Sequence, residues 1–232
     1  MKVAIMQPYF FPYLGYFQLI SAVDVFIVYD NIQYTKKGWI NRNRLLRNGE
    51  AAVFSLPLQN ASDFLQIRER SIAADFKPEK LLNKFAGAYR HAPSFAGVFP
   101  LIEEIVRYEE ANLFRFLYHS IRRTCEYLDI RTQLRISSEM DLDHGLTKQE
   151  KVLAICRAAG AATYVNSIGG VDLYSSAEFQ NSGVELKFLR SAPFEYGQFD
   201  HDFTPLLSIV DVLMFNPVET VRARVSSGYE LI

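Results

Sequence analysis

Lys2-Val3-Ala4-Ile5-Met6-Gln7-Pro8-Tyr9-Phe10-Phe11-Pro12-Tyr13-Leu14-Gly15-Tyr16, followed after a helical stretch by Val25-Phe26-Ile27-Val28-Tyr29-Asp30, is the passage that decides the fold. Val3 to Met6 is a short continuous apolar run, the pattern of a strand buried on both faces. Pro8 and Pro12 stiffen the turn that follows, and Gly15 removes a side chain where a helix and a strand must approach closely. Gly15 to Ala22 reads as a helix packing through Phe17, Leu19 and Ile20, and Val25 to Tyr29 as a second buried strand. Two buried strands joined through a helix over so short a distance form a right-handed parallel crossover. Ligands of open parallel sheets bind beyond the carboxyl ends of the strands. The residues after Met6 and after Tyr29 are therefore the first place to look for function.

Outward from this unit, Ala52 to Leu58 reads as a third strand and Pro78 to Tyr89 as a helix with proline in its first turn. Phe99 to Tyr108 and Asn112 to Leu128 are amphipathic, and Arg131 to Ile136 is a short strand. Thr147 to Ala159 is a helix closed by Gly160. Thr163 to Val165 and Val184 to Phe188 are strands, and Ser208 to Phe215 a closing helix. Strands alternating with helices predict an α/β, three-layer domain with a mainly parallel, Rossmann-like sheet. A single domain spanning residues 1–232 is expected, with a helical insertion near 77–130.

Composition narrows the function classes. The chain has 232 residues, 49% hydrophobic and 22% charged, ordinary for a globular protein. Its net charge of −1 argues against a dedicated nucleic-acid binder. Cys125 and Cys156 lie far apart, without a CxxC neighbour or a histidine at ligand spacing, so they read as buried reduced thiols. No apolar stretch is long enough for a membrane span. The opening residues, interrupted by Pro8 and Pro12, do not resemble a signal peptide, so a cytoplasmic protein is expected. The aromatic content is high at 14%; most of it should be core, with the rest available for ring stacking.

Five clusters could carry chemistry. Gln7, Tyr9, Tyr13, Gly15 and Tyr16 surround the free amides at the start of the first helix, where an anion can bind. Asp30, Gln33, Lys36, Lys37, Trp39, Asn41, Arg42 and Arg44 follow the second strand. There a carboxylate can take a proton or hold a hydroxyl, cations can neutralise a phosphate, and the single tryptophan can stack on a sugar or base. Asn166, Gly169 and Gly170, with Tyr174 downstream, can admit a ligand to the backbone. His144, among Asp141, Asp143, Thr147 and Lys148, can act as a base, although helix capping by Asp143 or Thr147 accounts for the same pattern. Tyr196, Gln198, His201, Asp202 and Phe203 have the composition of a lid. No Gly-x-Ser-x-Gly or HExxH pattern supports a hydrolase triad or a zinc site, and no metal ligand is assigned.

In these clusters the chain resembles the WbqC-like family, found in bacterial gene clusters for O-antigen and other surface polysaccharides. The resemblance rests on Gln7 to Tyr16 and Asp30 to Arg44. It continues through Lys148 to Cys156, Tyr164 to Tyr174 and Leu207 to Asn216. It implies a role in surface-polysaccharide biosynthesis, and with the clusters above the leading reading is an enzyme that modifies a nucleotide-linked amino sugar by acyl or aminoacyl transfer. In that reading Lys36, Arg42 and Arg44 hold phosphate, Trp39, Tyr9 and Tyr13 frame the sugar or base, and Asp30 or His144 takes the amine proton. The partner is then a nucleotide sugar or another phosphorylated small molecule.

A remoter likeness is to nucleotidylyltransferases of the HIGH-motif kind, whose His-x-Gly-His occupies the place of Tyr13-Leu14-Gly15-Tyr16. Both histidines are tyrosines here, and Ile136-Ser137-Ser138 resembles the second nucleotide motif without its basic residue. This alternative implies a nucleoside triphosphate with magnesium as cofactor. A third is a non-catalytic sugar-nucleotide-binding partner.

Overall fold

Every side chain of Val3, Ala4 and Ile5 is apolar, so the strand they form needs cover on both faces and a neighbour on both edges. The computed structural model, which describes residues 1–232, provides both. Strand β1 (Lys2–Met6) leads through the proline turn into helix α1 (Leu14–Ser21) and strand β2 (Val25–Val28). β2 pairs parallel with β1 over its whole length, the crossover expected from the sequence. A separate hairpin follows, β3 (Arg42–Arg47) and β4 (Glu50–Ser55). Helices α2 (Pro78–Tyr89), α3 (Phe95–Val106) and α4 (Leu113–Tyr127) come next. The chain returns to the sheet with β5 (Gln133–Ile136), crosses by α5 (Lys148–Ala159) to β6 (Thr163–Ser167), and continues through α6 (Ser176–Asn181) to β7 (Glu185–Ser191). Helices α7 (Ile209–Phe215) and α8 (Val218–Ser227) precede the last strand, β8 (Tyr229–Leu231).

The main sheet has the order β5-β2-β1-β6-β7-β8. All its pairings are parallel except β7 with β8. The first crossovers run outward from β1 through β2 to β5, and the later ones run to the other side through β6 and β7. That is a Rossmann-like arrangement with its switch point between β1 and β6. One face of the sheet packs on α1, α7 and α8, whose core continues into α2–α4 and the hairpin. The other face buries Val3, Ile5, Val25 and Ile27 against Val152, Ile155 and Cys156 of α5 and Phe179 of α6. Three layers result.

Aromatic rings fill the join between sheet, hairpin and helices. Phe10, Phe11, Phe54, Phe85 and Phe116 are fully buried and meet mostly edge to face. Phe11 takes a left-handed backbone with φ of 43°, costly for a bulky residue. The buried Asn43 of β3 holds that turn, its amide donating to the carbonyls of Phe10 at 3.2 Å and Phe11 at 2.8 Å.

Several expectations need correction. The strand expected over Ala52 to Leu58 is β4, beginning at Glu50, and it pairs outside the main sheet with β3, for which no strand was expected and whose Arg42 and Arg44 were expected to bind a ligand. The two are closed by Asn48 and Gly49 with φ of 52° and 78°, the left-handed pair of a two-residue hairpin turn. α3 starts at Phe95 rather than Phe99. The sequence reading had no α6, α8 or β8, because these are short or carry few apolar side chains.

Candidate functional site

Asp30 leaves β2 at its carboxyl end and is buried, 1% exposed. Its carboxylate accepts from Ser137 Oγ at 2.8 Å, the Ser138 backbone N–H at 3.0 Å and Ser138 Oγ at 2.6 Å. β5 supplies these donors because it lies beside β2 and ends at Ile136, so both strand ends meet in register. The neighbouring Asn31, also buried, sets its side-chain amide 2.7 Å from Ser137 Oγ and 2.9 Å from His144 Nδ1. Asp30 and His144, far apart in sequence, are thus joined through Ser137 and Asn31.

Lys151 completes the cluster. It sits one turn into α5, and its side chain is buried because that turn packs beneath the end of β2. Nζ donates to the backbone carbonyls of Asn31 at 3.2 Å and His144 at 3.4 Å, and lies 5.4 Å from the centre of the Tyr29 ring. Burial lowers the Lys151 ammonium from its usual range, partly opposed by the Asp30 carboxylate.

These residues border a cavity of about 610 Å³, whose walls include Tyr29, Asn31, Gln33, His144, Lys151 and Tyr174. Thr147, Lys148 and Gln149, at the N-terminus of α5, also face it. Helix amides there favour an anion. Tyr174 stands edge-on to Tyr164 and Phe179, which hold its ring in place. The cavity is large enough for a sugar with part of a nucleotide. No group of three or more His, Cys, Asp or Glu side chains is arranged to hold a metal ion.

Of the residues singled out from the sequence, Asp30, Gln33, His144 and Tyr174 come together here, with Thr147 and Lys148 beside them. Asp30 lies behind the wall, with both oxygens engaged. Gln33 also donates from its side chain to the Asp63 carbonyl. The rest lie elsewhere. Tyr13 and Gly15 line a second, mostly apolar cavity of about 310 Å³ with Phe194, Tyr196 and Leu206. The Tyr13 ring covers Gly15 so closely that a Cβ there would collide with it. Tyr16 is core, its hydroxyl donating to the Gln7 carbonyl, and Tyr9 packs against its ring.

Trp39 is half-exposed, and the guanidiniums of Arg42 and Arg44 lie 5.6 Å and 5.2 Å from its ring centre. Arg42 donates to the Gly38 and Lys37 carbonyls and Arg44 to that of Leu206. Lys36 pairs with Asp63, Lys37 is exposed, and Asn41 ties Tyr34 to the Leu56 carbonyl. The stretch Asp30–Arg44 is therefore split between the cavity wall and the hairpin. Asn166 is buried with its amide against Gly170, which leaves no room there for a side chain, while Gly169 faces open space.

The lid reading is corrected. Tyr196 and Gln198 both donate, at 2.7 Å, to the fully buried carboxylate of Asp211, which Tyr89 also reaches at 2.9 Å. Gln198 is itself fully buried, and the His201 ring rests against Gly49. This segment is an anchor. Lys151 is the residue that sequence reasoning missed. A lysine near the start of a helix ordinarily faces solvent, and only the packing of α5 under β2 buries this one.

A model of the WbqC-like protein family matches residues 7–223. The chain is 32% identical over 218 residues to the uncharacterized protein Rv1507c of Mycobacterium tuberculosis, with 93% of each chain covered. No solved structure matches it. No helix is long and apolar enough to cross a membrane.

Proposed function

The chain belongs to the WbqC-like protein family, and from that premise we propose that it is a transferase of bacterial surface-polysaccharide (O-antigen) biosynthesis. It places an acyl or aminoacyl group on the amine of a nucleotide-linked amino sugar. The observation that supports this reading is the convergence of His144, Lys151 and the N-terminus of α5 on one cavity at the carboxyl end of β2.

In this mechanism His144 takes a proton from the sugar amine, since attack requires a neutral nitrogen. The nitrogen bonds to the carbonyl carbon of an activated acyl donor, and the donor's leaving group departs. The Lys151 ammonium and the α5 amides offset negative charge on the carbonyl oxygen or on a substrate phosphate. Tyr29 and Tyr174 flank the sugar or base, and Gln33 supplies an orienting hydrogen bond. Asp30, sealed behind Ser137 and Ser138, holds the wall in place. Most of the rate comes from positioning and charge neutralisation.

The test is a thermal-shift screen against nucleotide sugars, ATP and other nucleoside triphosphates, each with and without magnesium. A ligand at a hundred times its Kd should add about 2.7 kcal/mol of stability. Stabilisation by a nucleotide sugar, lost in Tyr174→Ala and kept in Tyr13→Ala, supports the reading and its cavity. A magnesium-dependent response to ATP alone supports nucleotidylyl transfer or adenylate formation instead. Binding without turnover supports a non-catalytic partner, and silence across the panel refutes all three.

A further inference from the structure

We infer that Asp30, Ser137 and Asn31 form a proton-ordered chain that decides which ring nitrogen of His144 is free to act as a base. The inference deepens the transferase reading and rests on it for the role of His144. Ser137 Oγ has one hydrogen and two lone pairs to share. Three groups surround it: the Asp30 backbone N–H at 3.2 Å, Asp30 Oδ1 at 2.8 Å and the Asn31 side-chain amide at 2.7 Å. The N–H can only donate, so it takes one lone pair. The carboxylate oxygen can only accept, so it takes the hydrogen.

What remains for Asn31 is the second lone pair, which calls for a donor. The Asn31 NH2 therefore faces Ser137. With Oδ1 turned that way instead, one hydroxyl hydrogen would have to serve two acceptors at 2.7 Å and 2.8 Å. The two ends of an asparagine amide are told apart only by such bookkeeping of donors and acceptors. Because the amide is planar and its other end points at His144, its carbonyl faces Nδ1 across 2.9 Å. A carbonyl needs a donor there, so Nδ1 carries the ring hydrogen. In the neutral imidazole Nε2 then keeps a free lone pair.

The polarity runs in one direction, from the Asp30 carboxylate through the Ser137 hydroxyl and the Asn31 amide to the His144 ring. Lys151 fixes the frame by donating to the backbone carbonyls of both Asn31 and His144. Asp30, Ser137 and Asn31 are thus positioning residues, and His144 is the one of these four that takes the substrate's proton.

The tautomer can be read without substrate, by nitrogen NMR of the full chain labelled with ¹⁵N-histidine at a pH where the ring is neutral. Four histidines are present, and His144→Gln identifies the signal. The expected result is a pyrrole-type Nδ1 and a pyridine-type Nε2 for His144; the reverse pattern overturns the inference. Ser137→Ala frees the Asn31 amide to turn and should move the ring toward the Nε2–H form, whereas Ser137→Thr, which keeps the hydroxyl, should restore Nδ1–H. An unchanged tautomer in Ser137→Ala also overturns the chain. Should that variant fail to fold, the wild-type spectrum decides alone. Absence of transfer activity beside an Nδ1–H ring would refute the transferase reading and leave the chain standing.

Discussion

Replacing Asp30 by Asn separates a positioning carboxylate from a chemical one. The substitution keeps the shape of the side chain and removes its charge. Three contacts are affected: Ser137 Oγ, the Ser138 N–H and Ser138 Oγ, at 2.8, 3.0 and 2.6 Å. The amide oxygen can stand in for Oδ1 and keep the first two. Each then falls from a charge-assisted bond, worth about 1.5–3 kcal/mol, to a neutral one near 1 kcal/mol. The third survives only if the Ser138 hydroxyl turns to accept. The summed cost is about 2–3 kcal/mol, against a total stability on the order of 5–15 kcal/mol. With an m-value of about 2 kcal/mol/M, the urea midpoint should fall by roughly 1 M at unchanged slope. In the proposed acyl transfer, turnover should stay within about tenfold of wild type. An unmoved midpoint would contradict the three contacts. A loss of turnover beyond roughly a thousandfold in a stably folded variant would put Asp30 back into the chemistry.

Two further outcomes follow from buried titrating groups. Burial pushes the thiols of Cys125 and Cys156 up to about 12. At pH 8 only on the order of one thiolate in ten thousand forms, so a chromogenic disulfide reagent should leave the native protein untouched and label both cysteines after denaturation; a fast native reaction would refute this. Burial holds the Asp211 carboxyl above the usual carboxylate range, more than its donors Tyr196, Gln198 and Tyr89 pull it down. The folded state then binds that proton more tightly than the unfolded chain. The stabilisation is full below about pH 4 and is lost as the pH rises through the raised folded value. Urea titrations across that window should show wild type losing stability relative to Asp211→Asn, and parallel curves would refute the raised value.

The crossover β1-α1-β2 and the helices α2, α4 and α5 were legible because one physical rule, the period of the apolar residues, governs each. The hairpin was not anticipated, although Asn48-Gly49 has the composition of a two-residue turn, because Arg42 and Arg44 stood out as a phosphate cluster. Arg42 and Arg44 alternate with inward-facing Asn43 and Leu45, the period of a strand. Within the site, His144, Gln33 and Tyr174 could be named because their residue types are chemically conspicuous. Lys151 and Asn31 could not, and Ser137 was noticed only as part of a nucleotide-motif likeness, since their meeting depends on β5 lying beside β2 and on α5 packing against the face of β1 and β2. Trp39 and its arginines were expected beside the aromatic turn as ligand contacts. The structure instead has them contacting one another and nearby carbonyls, an arrangement set by the hairpin.

The central place of β1 has a consequence for how the chain is made. Its first neighbour, β2, emerges from the ribosome almost at once, but the second, β6, begins only at Thr163. Until then the nascent protein carries an open strand edge beside a finished hairpin and three packed helices, an edge able to capture other chains. Ribosome-bound chains halted just before Thr163 should therefore engage chaperones more strongly than chains released after Ser167, and the interval between those two points is where synthesis is most exposed to error.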